Sequence, residues 1–382
     1  MKVFSFSFFF LFLLFKPSHQ TTNDSLTYTN PRLLKAFKAL EAWKHHITSD
    51  PNQITSSWYG LHVCNYNGVY CAPAPDDNYT TTVAGIDLNF ANLEGTLPEE
   101  LGLLKDLAFF HINSNRFSGT IPQSFSCFGL LYELDVSNNQ LSGPFPSVVL
   151  SIPKLQYLDI RFNKFFGEIP SQVFDLKLDA LFINNNNFQS VLPQNIGNSP
   201  VSVLVFADNN LNSCFPSSLV NLKDTLEELI ITNSGLKGCL PSEIGLLNKL
   251  TVFDVSQNQL VGSLPASIAS MTSLEQLNVA NNKLSGVIPE NICRLPKLEN
   301  FTFSNNFFCG EPEICLKLMD KDDRNNCLLH RPLQRSLVEC SLFYAHNHVD
   351  CGAFGCSRPT TPPQPPPSKS LPLSHPPEPR HP

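Results

Sequence analysis

Between residues 131 and 146 the chain reads LYELDVSNNQLSGPFP, with apolar side chains at Leu131, Leu134, Val136, Leu141 and Phe145. Leu134 and Val136 alternate with Glu133, Asp135 and Ser137, which predicts a short strand with one buried face and one open face. The pattern returns about every two dozen residues. The place of Asn139 is held in turn by Ala91, Asn115, Asn139, Asn163, Asn186, Asn209, Ser234, Asn258, Asn282 and Asn306. Each unit can bury its apolar positions only against its neighbours, so the pattern predicts a stacked array in which no unit is stable alone. The asparagine amide can satisfy backbone groups of the turn and form a ladder along the stack. Ala91 falls in the first unit. Ser234 interrupts the ladder internally and is expected to leave a weak point or take up water.

The frame L-x-x-L-x-L-x-x-N-x-L is that of a leucine-rich repeat. The expected fold is an α/β leucine-rich-repeat solenoid, curved, of ten repeats, with disulfide-rich caps. The segments GTIP at 119–122 and GEIP at 167–170 resemble the plant extracellular subclass.

The flanks complete the organisation. Lys2 precedes an apolar run from Val3 to Phe15 that stops at Lys16-Pro17. This is the length of a signal-peptide core and too short for a membrane span. It assigns residues 1–20 to a signal peptide, cleaved near 18–22. Residues 21–82 form a cap. Its helix starts at Asn30-Pro31, carries Leu33, Leu34, Phe37, Leu40, Trp43 and Ile47 at helical spacing, and ends by Asp50-Pro51. Residues 83–308 hold the repeats, 309–356 a cysteine-rich segment, and 357–382 a Pro-rich tail, extended and unpacked.

Twelve cysteines point to an oxidising compartment. Cys64 and Cys71 are expected to pair, a metal site being the weaker alternative because no second close pair accompanies them. Cys214 and Cys239 hold equivalent positions on adjacent coils, ~5 Å apart and within disulfide reach. Cys127 has no such partner and is either a buried thiol or a link between chains. The six cysteines from Cys309 to Cys356 imply disulfides that hold a segment with few apolar residues, and Cys293 is a candidate to join them. Sequons at Asn23, Asn78 and Asn300 fit secretion. The formal net charge of −7 disfavours nucleic acid and favours basic partners.

The open face follows from the frame. Between the two buried strand positions it presents Asp87, His111, Asp135, Asp159, Phe182, Val205, Ile230, Asp254, Asn278 and Thr302. An acidic stretch adjoins an exposed apolar row of Phe182, Val205 and Ile230, and Phe109, Tyr157, Arg161 and Phe162 lie beside it. Acidic and apolar rows on one face suggest a binding groove with aromatic and arginine anchors. The plainer alternative is a solvated sheet face with residues chosen for strand propensity. His111 with Asp87 and Asp135 forms a line rather than a convergent pocket, so no catalytic residue, metal or cofactor is expected.

The segments LENFTFSNNFFCGEPEIC (298–315), DDRNNC, RPLQRS and VDCGAFGC before the Pro-rich tail, with GIDLNFANLEGTLPEELG (85–102), resemble the plant leucine-rich-repeat extensins over residues 28–358. The resemblance implies a secreted, extracellular cell-wall protein whose repeat domain binds small, basic, cysteine-rich peptides of the rapid-alkalinisation type. A wall polysaccharide and a receptor kinase are further candidate partners, and a homodimer a candidate assembly. The tail departs from the family: it lacks long Ser-Pro blocks and tyrosine, which implies a soluble or loosely held relative. A competing reading is an inhibitor of microbial wall hydrolases, similar to polygalacturonase inhibitors. The cysteines from Cys327 to Cys356 favour the first.

Overall fold

The computed structural model describes residues 30–346. The signal segment, Asn23, Cys351, Cys356 and the Pro-rich tail lie outside the described residues. The chain divides into two compact units between Phe188 and Gln189, and each has its own set of parallel strands.

The first unit opens with helix α1, Pro31–His46. Asn30 caps it by accepting from the backbone N–H groups of Arg32 and Leu33, and Pro31 sits where no intrahelical donor is needed. The helix buries Ala36, Ala39, Leu40 and Trp43. Trp43 is fully enclosed, with the rings of Trp58, Phe110 and Phe117 at 5.8, 5.6 and 5.6 Å. A disulfide joins Cys64 and Cys71, whose Cα atoms are 5.5 Å apart.

Strand Asp77–Asp87 pairs antiparallel with Val69–Ala74 and then starts a parallel sheet. Phe109–His111, Glu133–Asp135, Tyr157–Asp159 and Ala180–Phe182 follow in register, so Asp87, His111, Asp135, Asp159 and Phe182 form one row. A second ribbon runs through Glu94–Thr96, Arg116–Gly119, Gln140–Pro144, Lys164–Gly167 and Asn187–Phe188. Gly119, Gly143 and Gly167 all have positive φ there, which is why glycine precedes each x-Pro step. Short 3-10 turns such as Gln123–Cys127 close the coils.

The ladder is visible at Asn139. Its Nδ2 donates to the carbonyls of Ile112, Val136 and Ser137 at 2.9, 3.1 and 3.0 Å, and its Oδ1 accepts from Phe117 N at 3.0 Å. One buried amide thus ties two coils together.

The second unit repeats this plan with Val203–Val205, Glu228–Ile230, Val252–Asp254, Gln276–Asn278 and Asn300–Thr302. Direct hydrogen bonds still link the coils at Ser234. Its Oγ donates to the carbonyls of Phe206 and Thr232 at 3.0 and 2.9 Å, and its own carbonyl accepts from Leu211 N at 2.8 Å. The hydroxyl stands in for the amide donor, its one proton shared between two carbonyls, and the backbone replaces the amide oxygen.

The ten repeats are followed by one shortened coil. Strand Asp320–Asp322 pairs with Asn300–Thr302. Asn326 takes the ladder position, donating to the carbonyls of Phe303 and Asp323 at 3.1 and 3.0 Å and accepting from Phe308 N at 3.1 Å. Behind it Lys321 bridges Glu311 and Asp323 at 2.5 and 2.6 Å. Helix α2, Leu337–His346, ends the described chain.

Disulfides Cys293–Cys315 and Cys327–Cys340 close this end, and Cys214 and Cys239 are both disulfide-bonded. The expectation that disulfides hold the whole C-terminal cysteine set is corrected at Cys309, a free, exposed thiol. Its neighbour in the sequence, Phe308, turns into the core instead. Cys127 is likewise free and exposed, which overturns the buried-thiol alternative: it ends a 3-10 turn, while Phe125 and Phe128 fill the core on either side.

The sequons differ in environment. Asn78 is exposed. Asn300 donates to Asp320 Oδ2 at 2.9 Å and accepts from Thr302 Oγ1 at 3.0 Å, so both polar side chains of its sequon are engaged on the sheet face. Intact-glycopeptide mass spectrometry is expected to find a glycan at Asn78 and a bare Asn300. Full occupancy at Asn300 would contradict this placement.

Candidate functional site

The inner sheet face of the first unit gathers the polar and aromatic residues. Strand alternation sends Leu134, Leu158 and Leu181 into the core and leaves their neighbours on the open side. Phe109, His111, Asp135, Tyr157, Asp159, Arg161 and Phe182 belong to this face.

Asp159 is its electrostatic centre. The side chain is 0% exposed. Arg161 Nε lies 3.0 Å from Oδ2, Arg161 N donates to Oδ1 at 3.1 Å, and the Tyr157 hydroxyl donates to Oδ2 at 3.4 Å. Burial first, and the neighbouring Asp135 carboxylate second, push the Asp159 carboxyl well above the ordinary carboxylate range, against the pull of Arg161. Burial, then Asp159, also raises the Tyr157 phenol. The expectation of Asp159 as an open anion awaiting a cationic ligand is therefore corrected: the chain supplies its own cation two residues on.

The exposed apolar row is corrected too. Phe182 is buried, with the Arg161 guanidinium 4.9 Å from its ring centre and the Tyr157 ring at 5.5 Å. In the second unit Val203 and Val205 are buried and Ile230 is half-buried. Between Val203 and Val252 in that unit stands Glu228, whose carboxyl is pushed up by burial and then by Glu227. Phe162 lies past the strand on the turn, with φ 52°, and is about half exposed at the rim rather than beside the acidic row.

Asp135 is half-buried. Its Oδ1 accepts from Ser137 N at 3.0 Å and Ser137 Oγ at 2.6 Å, and no cation pairs with it among the described residues. His111 turns away from Asp135 and Asp87 to Glu133, 2.9 Å from Nε2 to Oε2, because Glu133 is directly in register with Phe109, whose ring packs 5.1 Å from the imidazole. Three contributors were not legible as site residues: Glu133, Tyr70, whose exposed ring lies 5.8 Å from Phe109, and Asn184. Asn184 is buried beyond Phe182 on the same face, and its Oδ1 has no hydrogen-bond partner among the described residues. Tyr70 sits on the antiparallel hairpin, outside the repeat frame.

Short parallel strands, a buried asparagine ladder and disulfide-closed ends define a leucine-rich-repeat protein. The family model described as Leucine Rich Repeat matches residues 130–151, 154–176, 249–271 and 273–295. Among solved structures, the leucine-rich-repeat ectodomain of the Arabidopsis receptor kinase HAESA, in complex with an N-terminally extended IDA peptide hormone ligand, is 28% identical. Its TM-score is 0.64, over 78% of this chain and 54% of that one. Leucine-rich repeat extensin-like protein 6 of Arabidopsis thaliana is 69% identical over 87% of this chain and 71% of its own length. Leucine-rich repeat extensin-like protein 7 of the same plant is 63% identical over 90% and 79%. The chain belongs to the leucine-rich repeat extensin-like family.

Proposed function

We propose that this chain is a secreted plant cell-wall protein that binds small basic cysteine-rich peptides, of the rapid-alkalinisation type, on the inner face of its first unit. Through that binding it takes part in wall organisation and growth control. The observation that carries the reading is Asp135, a half-buried carboxylate held by Ser137 and lacking a cation among the described residues, on the same sheet face as Phe109, whose ring meets that of Tyr70. A basic peptide supplies the missing charge. The peptide hormone bound to the HAESA ectodomain supports the same mode for a related scaffold.

In this arrangement charge governs encounter, and aromatic contact governs release. Asp135→Asn is expected to lower the association rate of a basic cysteine-rich peptide and to flatten its salt dependence. Phe109→Ala is expected to raise the dissociation rate by an amount on the order of 1–2 kcal/mol. Surface-binding kinetics at two salt concentrations reads both. Unchanged rates in both variants would remove this face from the hypothesis.

A further inference from the structure

The inner sheet face of the first unit carries one imidazole in an otherwise acidic neighbourhood. His111 stands between Asp87 and Asp135 and is in register with both. Strand spacing puts each of those residues about 5 Å away across the sheet. His111 Nε2 lies 2.9 Å from Glu133 Oε2, and the two side chains are only 13% and 26% exposed. The Phe109 ring packs against the imidazole at 5.1 Å. The ring is thus held in place, and any charge it carries is felt by three carboxylates at once.

The groups around it come from both neighbouring strands. The strand before brings Asp87, whose Oδ1 accepts from Asn89 N at 3.0 Å. The strand after brings Glu133 and Asp135. Tyr132, next to Glu133, has its phenol raised by burial and then by Glu133, so it stays neutral. The hairpin adds Tyr70 against Phe109. Arg161, two strands on, is taken by Asp159. Among the described residues no lysine or arginine forms an ion pair with Asp87, Glu133 or Asp135.

Imidazole is the side chain whose charge changes between about pH 5 and about pH 8. With His111 protonated, one cation stands against the three carboxylates. With His111 neutral, none does. A neutral imidazole with its proton on Nε2 still donates to Glu133, so the face changes charge without changing shape. Asp159 acts in the same direction. Burial and then Asp135 hold its carboxyl above the ordinary range, so it too gains negative charge as pH rises.

We propose that His111 is a proton-controlled gate on this face: a cationic partner is held weakly while the imidazole is charged and firmly once it is neutral. The gate rests on the reading of the inner face as a site for basic peptides and adds the condition under which that site captures them. Protonated His111 occupies the Glu133 carboxylate and repels a second cation. Loss of the proton returns Glu133 to the partner, beside Asp135.

The test uses the secreted full chain and surface-binding kinetics at about pH 5 and about pH 8, at matched ionic strength. One probe is a capped hexa-arginine peptide, which has no group that titrates in that range. The other is a basic cysteine-rich peptide free of histidine. Affinity for both is expected to rise by roughly fivefold from the lower to the higher pH, the effect of one unit charge at about 4 Å in water. His111→Gln, whose amide can still donate to Glu133, is expected to remove most of that step. Glu133→Gln is expected to weaken both probes at both pH values and to keep the step, because the imidazole still titrates. Melting temperatures of parent and variants at both pH values keep unfolding out of the comparison. Equal affinity at both pH values in the parent, an undiminished step in His111→Gln, or a step abolished by Glu133→Gln would overturn the gate. A step with hexa-arginine and no binding of the cysteine-rich peptide would keep the gate and remove the peptide reading. No binding of either probe would overturn both.

Discussion

Trp43→Ala is expected to destabilise the first unit by about 3–5 kcal/mol, the range for removing a large aromatic ring from a core. The indole has no exposed surface and lies among Trp58, Phe110 and Phe117. Those rings belong to the cap and to the second coil, so the vacancy opens near the point where the stack begins. Each coil is stable only against its neighbour, and loss at this end should spread inward. Hydrogen exchange is expected to rise first at Phe110 and Phe117 and last at coils farther along. Trp43→Phe is the control. The indole Nε1 has no hydrogen-bond partner among the described residues, so no polar contact is lost, and a smaller aromatic should recover most of the stability. Denaturant unfolding measures both variants. A loss below about 1 kcal/mol for Trp43→Ala would mean that the helix merely covers the first coil and does not hold it.

The repeat was legible because one residue type performs one geometric task at a fixed spacing. Asn139 ties two coils in the same way as Asn163 and Asn282, and the leucines on either side alternate strictly. The strand register follows from the same regularity, whereas the capping at Asn30 and the place of Trp43 on the buried side of α1 follow from helix signals ahead of the repeats. Substitution of function by the backbone was not legible: the Ser234 carbonyl stands in for an amide oxygen, and no sequence pattern marks that. The shortened coil at Asn326 escaped for a related reason. It comes 20 residues after Asn306, a step shorter than the others, in a segment whose cysteines dominate its appearance.

The inner face shows the limit of reading a row of residues by type. Asp135 and Asp159 are the same residue in the same row, and position alone makes them equals. What separates them is the residue two places on. Ser137 donates to Asp135 and leaves it half-buried, whereas Arg161 closes over Asp159 and over Phe182. That one arginine turns an expected exposed apolar residue into a buried one and an expected free anion into half of an ion pair.

Arg161→Ala is therefore expected to have a large effect with a definite pH dependence. Breaking a buried ion pair by removing one partner costs about 3–5 kcal/mol, because the remaining charge stays buried without compensation. Asp159 can escape by taking up a proton, and burial already holds its carboxyl above the ordinary range. The native state thus binds more protons than the unfolded chain between the ordinary carboxylate value of about 4 and the raised folded value. Stability from this group is fully present below about pH 4 and is lost as pH rises through the folded value. Without Arg161 the folded value moves higher still. The variant should then approach the parent at pH 4 and fall furthest behind it at neutral pH. Asp159→Asn removes the titration, should flatten the pH profile, and should leave the first unit at least as stable as the parent at pH 7. The Arg161 side chain, about a third exposed, can then turn to solvent. The double change Asp159→Asn with Arg161→Ala should recover most of what Arg161→Ala loses. Denaturant midpoints for the four proteins at pH 4, 5.5 and 7 decide it. A pH-independent loss in Arg161→Ala, left in place by Asp159→Asn, would show that Arg161 acts by covering Phe182 and not by neutralising Asp159.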